Sequence, residues 1–535
     1  MIKKTIPLVL IASLFLMACE WIKGSKTTLT RDFSINKVTS YNNLFLDSSS
    51  IDTFIAYHPE YASFSNEYKS FYIQRNFEFA WFDSTGLSEQ AHNFFNLQNN
   101  YINSNSDSSV YNKTLSQLFD SLNNKQKKKT VDKNKVQTIE LLLTGQFFKY
   151  SAKVYKGSDI KVDELGWFIP RKKINLTALL DSVIQKKAEN LDEYALLNKQ
   201  YKALEKQLIL FLEKEKKERP DTIQYLPKPI KKGATGPTIL LIKQRLNLLQ
   251  DSSKLDSSYL FNAQMLKAVK RFQKRHGLFA DGTIGNKMIA ELNVPIKKRI
   301  QQILVNMERV RWMPPETDSN YVVVNIPEYK LHIFDSGKQV SEMNVIVGSS
   351  INNSVIFNGK LQYIVFSPYW NVPESIVKKE MMPIIEKNPN YIAKNNMEIT
   401  GYNGKTPIVR QKPGPNNSLG HVKFLFPNNY NIYFHDTPNR GLFEQSGRNL
   451  SHGCIRLQYP KKFAQYLLRA DTLTWNSKKI DSLMNMPKEK WVTLKKPLPV
   501  FLVYFTAWVD MNGVLNFRND IYKHDEKMTE KLFNK

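Results

Sequence analysis

The chain has 535 residues, of which 42% are hydrophobic and 12% aromatic, and it carries a formal charge of +27. At about 150 residues per domain, this length predicts three to four domains, and the apolar content excludes a mainly disordered chain. The positive excess is dense at Lys125-Gln126-Lys127-Lys128-Lys129 and from Lys214 to Arg219, and reads either as solvated helix ends and loops or as attraction to a polyanion.

The first element in chain order is not part of a fold. Met1-Ile2-Lys3-Lys4 is a basic start, and Ile6 to Met17 is a mostly apolar run of twelve residues. A bilayer span needs about 20. The pattern is that of a secretory signal over residues 1–18. Its end, Leu16-Met17-Ala18-Cys19, resembles a bacterial lipobox. That resemblance implies cleavage before Cys19, lipidation of Cys19 and a membrane anchor, with residues 19–56 as a polar tether. An ordinary cleavable signal or an uncleaved anchor is the competing reading, and every version exports the chain. Only two cysteines are present, Cys19 and Cys454. If Cys19 carries lipid, Cys454 has no intramolecular disulfide partner. A leftover thiol in an exported protein is a candidate nucleophile.

Residues 57–220 read as a helical scaffold domain. Ser88 to Leu97 and Gln137 to Tyr150 look amphipathic, and Tyr194 to Lys217 reads as a long charged helix. Aromatics at Phe71, Tyr72, Phe77, Phe79, Trp81, Phe82, Trp167 and Phe168 are expected in a core. A linker rich in Pro and Gly follows, with Pro220, Pro227, Pro229, Gly233, Gly236 and Pro237. Residues 225–297 then predict a compact three-helix module. Ile239, Ile242, Leu246 and Leu249 form one apolar stripe; Phe261, Met265, Val269 and Phe272 form another; a third helix is expected around Asn286 to Leu292. Val269 to Leu278, continued by Ala280-Asp281-Gly282-Thr283-Ile284-Gly285, resembles the small peptidoglycan-binding domain of cell-wall enzymes. A spacer that has lost binding is the alternative. His276 lacks companion metal ligands and is read as a structural or surface residue.

A connecting helix is expected over 298–318, ending at Pro314-Pro315. From 319 to 515 the pattern turns to strands: Tyr321 to Asn325, a hairpin of Lys330 to Phe334 and Gln339 to Val347, then Gln362 to Ser367, Ile432 to Asp436 and Val500 to Phe505. An insert at 375–405 has helical character and reads as a cap. Residues 516–535 read as a C-terminal tail. The fold class is therefore multidomain: a mainly helical N-terminal scaffold, a small three-helix module, and a mostly-β domain with a helical capping insert.

The chemistry concentrates in Ile432-Tyr433-Phe434-His435-Asp436 and Ser451-His452-Gly453-Cys454-Ile455-Arg456. A free thiol of pKa about 8.5 needs an imidazole or a positive field to act as a thiolate near neutrality. On extended backbone, Tyr433 and His435 share one face, and so do Cys454 and Arg456. Adjacent strands would put imidazole, thiol and guanidinium in one cleft. Gly453 would allow close approach of substrate, and N–H groups around Gly453 and Cys454 could form an oxyanion hole. Asp436 is expected to point away from the imidazole.

The Ser451-to-Arg456 stretch, with His435 nineteen residues before the cysteine, resembles the signature of the L,D-transpeptidase (YkuD-type) family. Asn306 to Arg309, Asn325 to Tyr329, Pro368 to Pro373, Arg410 to Pro415, Ala507 to Asp510, Ala80-Trp81 and Gly166-Trp167 are similar to its large, multidomain YcbB-type branch. The resemblance covers residues 60 to 525 and implies a cell-wall enzyme forming 3→3 cross-links between peptidoglycan stem peptides. It implies Cys454 as nucleophile and His435 as general base. His452 and Gly453 would shape the turn and oxyanion hole, and Arg456 would hold the site by hydrogen bonds to backbone or substrate. Tyr433, Ser451, Trp370 and Asn371 would line the substrate cleft. It implies no metal and no organic cofactor, and a periplasm-facing lipoprotein of a Gram-negative-type bacterium. Nucleic acid is not expected as a partner. Ser349 to Phe357 departs from the branch, which has a Pro-containing turn there. Water or another amine as acceptor would instead make an L,D-carboxypeptidase or a D-amino-acid exchange enzyme. A non-catalytic, lipid-tethered wall-binding scaffold is the reading of another class.

Overall fold

The computed structural model describes residues 31–35, 44–83, 86–105, 108–123, 133–158, 160–170, 174–185, 199–219, 221–249, 255–314 and 319–533. The signal, Cys19 and the 125–129 lysine run lie outside them. Among the described residues no helix is long and apolar enough to cross a membrane. The chain divides into two compact units, one of residues 1–155 with 174–196, the other of 156–173 with 197–535.

The first unit is helical, with one short hairpin, β1 (Phe82–Asp83) and β2 (Gly86–Leu87). Of the aromatics expected in a core, Phe71, Tyr72, Phe79, Trp81 and Phe82 are buried in this unit, joined by Tyr68, Phe94 and Phe147, whereas Phe77 is half-buried; in the second unit Trp167 is buried and Phe168 is exposed. The tether is shorter than expected, because Leu46, Ile51 and Phe54 are buried and Ser50–Tyr57 is helical. Helix Lys133–Ser151 is buried on every side from Ile139 to Phe148 rather than amphipathic. Its buried Glu140, Thr144 and Gln146 are hydrogen-bonded within the unit. Glu140 accepts from the Ala80 and Trp81 N–H groups at 2.6 and 3.0 Å and from the Tyr72 hydroxyl at 2.8 Å. Burial nevertheless pushes its carboxyl up to about 7. Between its ordinary value of 4.5 and about 7, the folded state holds a proton that the unfolded chain has released. Stability of this unit therefore falls as pH rises through that window. Its melting temperature is expected to drop between about pH 5 and about pH 8, and Glu140→Gln to flatten that slope; scanning calorimetry at both pH values reads the difference.

In the second unit the three helices of the small module are Pro237–Leu249, Ala263–Arg275 and Asn286–Leu292, with both predicted stripes buried. The module shares one core with helix Lys199–Glu215, through Tyr201, Leu208 and Phe211, and with Ala507, Val509 and Phe517. The charged helix expected in the scaffold thus belongs to the second unit: its solvent face carries the charge, and its apolar face packs on the module. His276 is buried between Phe272 and Phe517, with Nδ1 2.9 Å from the Phe272 carbonyl. The connecting helix spans Ile296–Trp312 and stops where Met313 turns extended before Pro314.

The strands that follow are β3 (Tyr321–Asn325), β4 (Lys330–Asp335), β5 (Lys338–Gly348), β6 (Asn358–Phe366), β7 (Trp370–Asn371), β8 (Met397–Asn403), β9 (Thr406–Gln411), β10 (Val422–Leu425), β11 (Phe434–His435), β12 (Asn449–Ser451), β13 (Ile455–Leu457), β14 (Lys490–Val503), β15 (Ala507–Val509) and β16 (Leu515–Phe517). Nine of them form one sheet in the order β12-β5-β13-β11-β10-β6-β14-β3-β4, and β4 pairs back onto β5. That closure makes a barrel filled by alternate residues such as Val324, Leu331, Val345, Ile364, Phe424 and Leu502. The insert is wider than expected and half β: β7, β9 and β8 form its own sheet over a small core of Val372, Val377, Met381 and Val409. Residues 516–533, expected to lie in a tail, are packed. Tyr522 and Met528 are buried in the barrel core, and Asp525 pairs with Arg309 at 2.5 Å. So few apolar residues among so many charges left no readable period.

Candidate active site

β11 and β13 are parallel neighbours, with Phe434 opposite Ile455 and His435 opposite Arg456. Phe434, Ile455 and Leu457 fill the barrel. Strand alternation then turns Tyr433, His435, Cys454 and Arg456 to the outer face. The strand expected over Ile432 to Asp436 pairs only at Phe434–His435, because Asn431 adopts φ +56° just before it. Asn428 holds that turn, its side chain bonding the Phe426 and Ile432 carbonyls and the Tyr430 and Ile432 N–H groups.

The Cys454 thiol is partly buried and donates to the Asn431 carbonyl at 3.5 Å. Burial pushes its pKa up, and hydrogen bonds from Tyr433 oppose that. Burial and the adjacent thiol also hold the Tyr433 phenol protonated. His435 is buried, with Nδ1 2.5 Å from the Asp436 carbonyl. Nδ1–H donating there leaves the lone pair on Nε2. Burial, then the Arg456 cation, and more weakly Lys423, push the imidazole down to about 3. The resting pair at neutral pH is therefore an un-ionised thiol and a neutral imidazole. Arg456 Nε is buried without a hydrogen-bond partner, and its charge acts on the thiol. Of the two hydrogen-bond partners expected of it, backbone or substrate, Nε finds none in the backbone.

The turn before the nucleophile is tied from within. Gly453 has φ +115°, and a Cβ there would come only within 3.6 Å of the Asn353 carbonyl. Its backbone conformation, rather than a lack of space, calls for glycine. The Gly453 N–H is taken by Ser451 Oγ at 3.1 Å, and Ser451 Oγ donates to the Cys454 carbonyl at 2.6 Å. Ser451 is buried, so it holds the turn and does not line the cleft. His452 is exposed and turned to the insert, its Nε2 2.9 Å from Glu380 Oε1. Trp370 packs on the insert core, and Asn371 is exposed on β7, opposite Arg410 of β9. The Asp436 side chain is fully buried, and its carboxylate accepts from the His421 and Thr437 N–H groups and from Arg440; it anchors the segment, and only the backbone carbonyl of Asp436 meets the imidazole ring.

Several residues of the site escaped the sequence. Ser354, in the divergent Ser349–Phe357 loop, donates to the Gly453 carbonyl at 2.7 Å. Tyr522 donates to the Gly348 carbonyl at 2.5 Å and accepts from the Ser354 N–H at 3.3 Å. Lys423 of β10 lies opposite His435. Long-range contacts bring these positions together, strand pairing for Lys423 and side-chain hydrogen bonds for Ser354 and Tyr522, although the alternation Val422-Lys423-Phe424 is a usable signal for an outward lysine.

Residues 319–481 match the family model of the L,D-transpeptidase catalytic domain (YkuD). Residues 66–208 match that of a scaffold domain, and residues 235–292 that of a "Putative peptidoglycan binding domain". A curated protein of Haemophilus influenzae named "Putative L,D-transpeptidase" is 33% identical over 244 residues, which are 43% of this chain and 49% of that protein. The chain thus spans about half the length of this relative. Among solved structures, the L,D-transpeptidase (Yku) from Stackebrandtia nassauensis is 14% identical at TM-score 0.22, covering 53% of this chain and 96% of its own. The L,D-transpeptidase from Mycobacterium smegmatis is 14% identical at TM-score 0.20, covering 35% and 58%.

Proposed function

We propose, from a chain whose residues 319–481 form a YkuD-type L,D-transpeptidase catalytic domain, that the protein forms 3→3 cross-links between peptidoglycan stem peptides. The observation that carries the proposal is the common face shared by Cys454, His435 and Arg456 on paired strands within that domain. Cys454 attacks the carbonyl of the third residue of a donor tetrapeptide. His435 Nε2 takes the thiol proton and passes it to the departing D-alanine amine. A thioester remains, and the side-chain amine of a neighbouring stem, diaminopimelate, resolves it, with His435 now accepting the amine's proton. Tyr433 donates to the sulfur as it ionises. The Gly453 N–H is committed to Ser451, so the Cys454 N–H is the donor left to the oxyanion.

The insert between β6 and β10 caps the cleft, joined to the nucleophile turn by the His452–Glu380 contact, and keeps water from the thioester. The module at 235–292 holds the wall polymer. Cys19 carries the lipid that anchors the chain, facing the periplasm. The domain boundaries proposed are a scaffold from about 44 to 185, the module with its flanking helix, and a catalytic domain from 319 to the C-terminal helix.

Incubating the protein with disaccharide-tetrapeptides and resolving the products tests this reading. Dimers joined 3→3 are expected to dominate. Tripeptide alone would make water the acceptor, incorporation of free D-amino acid would make the protein an exchange enzyme, and unchanged substrate would leave a wall-binding scaffold. Deleting 374–403 is expected to raise tripeptide relative to dimer if the insert is the cap.

A further inference from the structure

We infer that Lys423 forms a carboxylate-binding subsite, beside the base, that takes the free α-carboxylate of the leaving amino acid and then that of the accepting one. This rests on the transpeptidase reading above and names the feature both of its amine partners would need.

The subsite follows from strand register. Val422 and Phe424 are fully buried in the barrel, so Lys423 between them faces outward. It lies opposite His435 on one side and Val365 on the other, and Val365 in turn lies opposite Trp491. Arg456, His435, Lys423, Val365 and Trp491 thus form one row across five strands. The Lys423 ammonium is 5.7 Å from the Trp491 ring centroid, and among the described residues no ion pair engages it. Glu489, the carboxylate that acts on it from further off, accepts from Trp491 Nε1 at 3.1 Å and the Tyr369 N–H at 3.5 Å. Burial has cost this ammonium part of its hydration, which lowers its pKa. A partly dried cation with no carboxylate in direct contact gains when an anion arrives.

The order along the row gives the occupant. A leaving amine must face the imidazole that protonates it, so the leaving residue lies over His435, on the side away from Arg456. Lys423 is the next side chain in that direction. Two strand spacings and two residues separate the Lys423 and Cys454 Cα atoms by roughly 12 Å. A lysine side chain covers roughly 6 Å of that. The carboxylate of the leaving residue sits about 4 Å beyond the attacked carbon, within reach of the ammonium.

The chemistry balances with one proton shuttle. The C–S bond forms as the C–N bond breaks, the thiol proton leaves on the departing amine, and no redox change occurs. In the second half the incoming amine bonds the same carbon, the C–S bond breaks, and the amine's proton returns to the sulfur. The incoming group occupies the place of the departed one, so an amine beside a carboxylate meets the same lysine. Water and simple amines bring no carboxylate and forgo that contact. A bound carboxylate also cancels part of the Lys423 field on His435, so the substrate itself strengthens the base.

The test uses the full chain and paired donor tetrapeptides, one ending in a free carboxylate and one in a C-terminal amide. The rate of Cys454 acylation is followed by intact-protein mass spectrometry. At limiting donor, the wild type is expected to prefer the carboxylate by about ten- to a hundredfold. In Lys423→Met that preference is expected to collapse toward unity, and in Lys423→Arg to survive in part. A wild type that acylates equally with both donors overturns the subsite without any variant. So does a Lys423→Met protein that keeps the full preference. No acylation by either donor would overturn the transpeptidase reading, and the inference with it.

Discussion

Replacing Cys454 by alanine is expected to lower cross-linking turnover by at least about 10⁴-fold, to the level of a cleft that binds without a nucleophile. The size of the effect follows from chemistry that no neighbour can supply. Tyr433, the other polar side chain at the thiol, is held protonated by burial and by the thiol itself. Serine at the same position is expected to fare little better, since a hydroxyl is far harder to ionise than a thiol whose pKa is already raised. Folding should be unaffected: Cys454 is only partly buried, and its hydrogen bond to Asn431 is a long one. Circular dichroism checks the fold, and product chromatography reads the loss.

The second large effect is on His435. Replacing it by glutamine is expected to cost about 10²- to 10⁴-fold in the acylation rate. The pH behaviour distinguishes a base from a merely structural imidazole. The folded pKa of His435 is held down to about 3, against an ordinary 6.5, by burial and by the cations of Arg456 and Lys423. The free protein therefore keeps His435 neutral throughout the neutral range. A folded pKa this low also means that stability is lost below the ordinary value, where the unfolded imidazole binds a proton that the folded one refuses. The thiol is shifted in the opposite direction. Alkylation of Cys454 by iodoacetamide is accordingly expected to climb steadily above neutral pH, with no plateau on the acid side. A plateau near pH 6 would reveal a resting thiolate–imidazolium pair and contradict the electrostatics described above.

The sequence made the nucleophile legible because its neighbours lie in one short stretch whose alternation is plain. Ile455 and Leu457 had to bury, so Cys454 and Arg456 had to face out. The pairing of that stretch with Phe434–His435 required only that two strands meet. The residues that tune the site were hidden for a different reason. Lys423 reaches His435 through an antiparallel ladder, Ser354 reaches Gly453 across 99 positions, and Tyr522 reaches Gly348 across 174. No local period encodes such neighbours. Element types were likewise readable where apolar spacing was dense, as in the module's helices. Helix Lys199–Glu215 is readable as a helix, but not its place in the second unit, because the residues it packs on, such as Ala507 and Phe517, are distant in sequence; around Tyr522 and Met528 apolar residues are too sparse to show an element. Ser451 was misjudged because its hydroxyl closes its own turn, at 2.6 Å from the Cys454 carbonyl. Arg456 lies on the face expected of it, and because its Nε meets no backbone acceptor, the substrate is the expected partner left to that atom.

The central claim is a covalent bond to one sulfur, and the most direct measurement is the mass of the protein after brief exposure to a donor tetrapeptide. The wild type is expected to gain the mass of the donor less its terminal D-alanine, with the added mass mapping to the peptide that contains Cys454. An adduct that persists in the Cys454→Ala protein, or that maps to any other residue, would contradict the account.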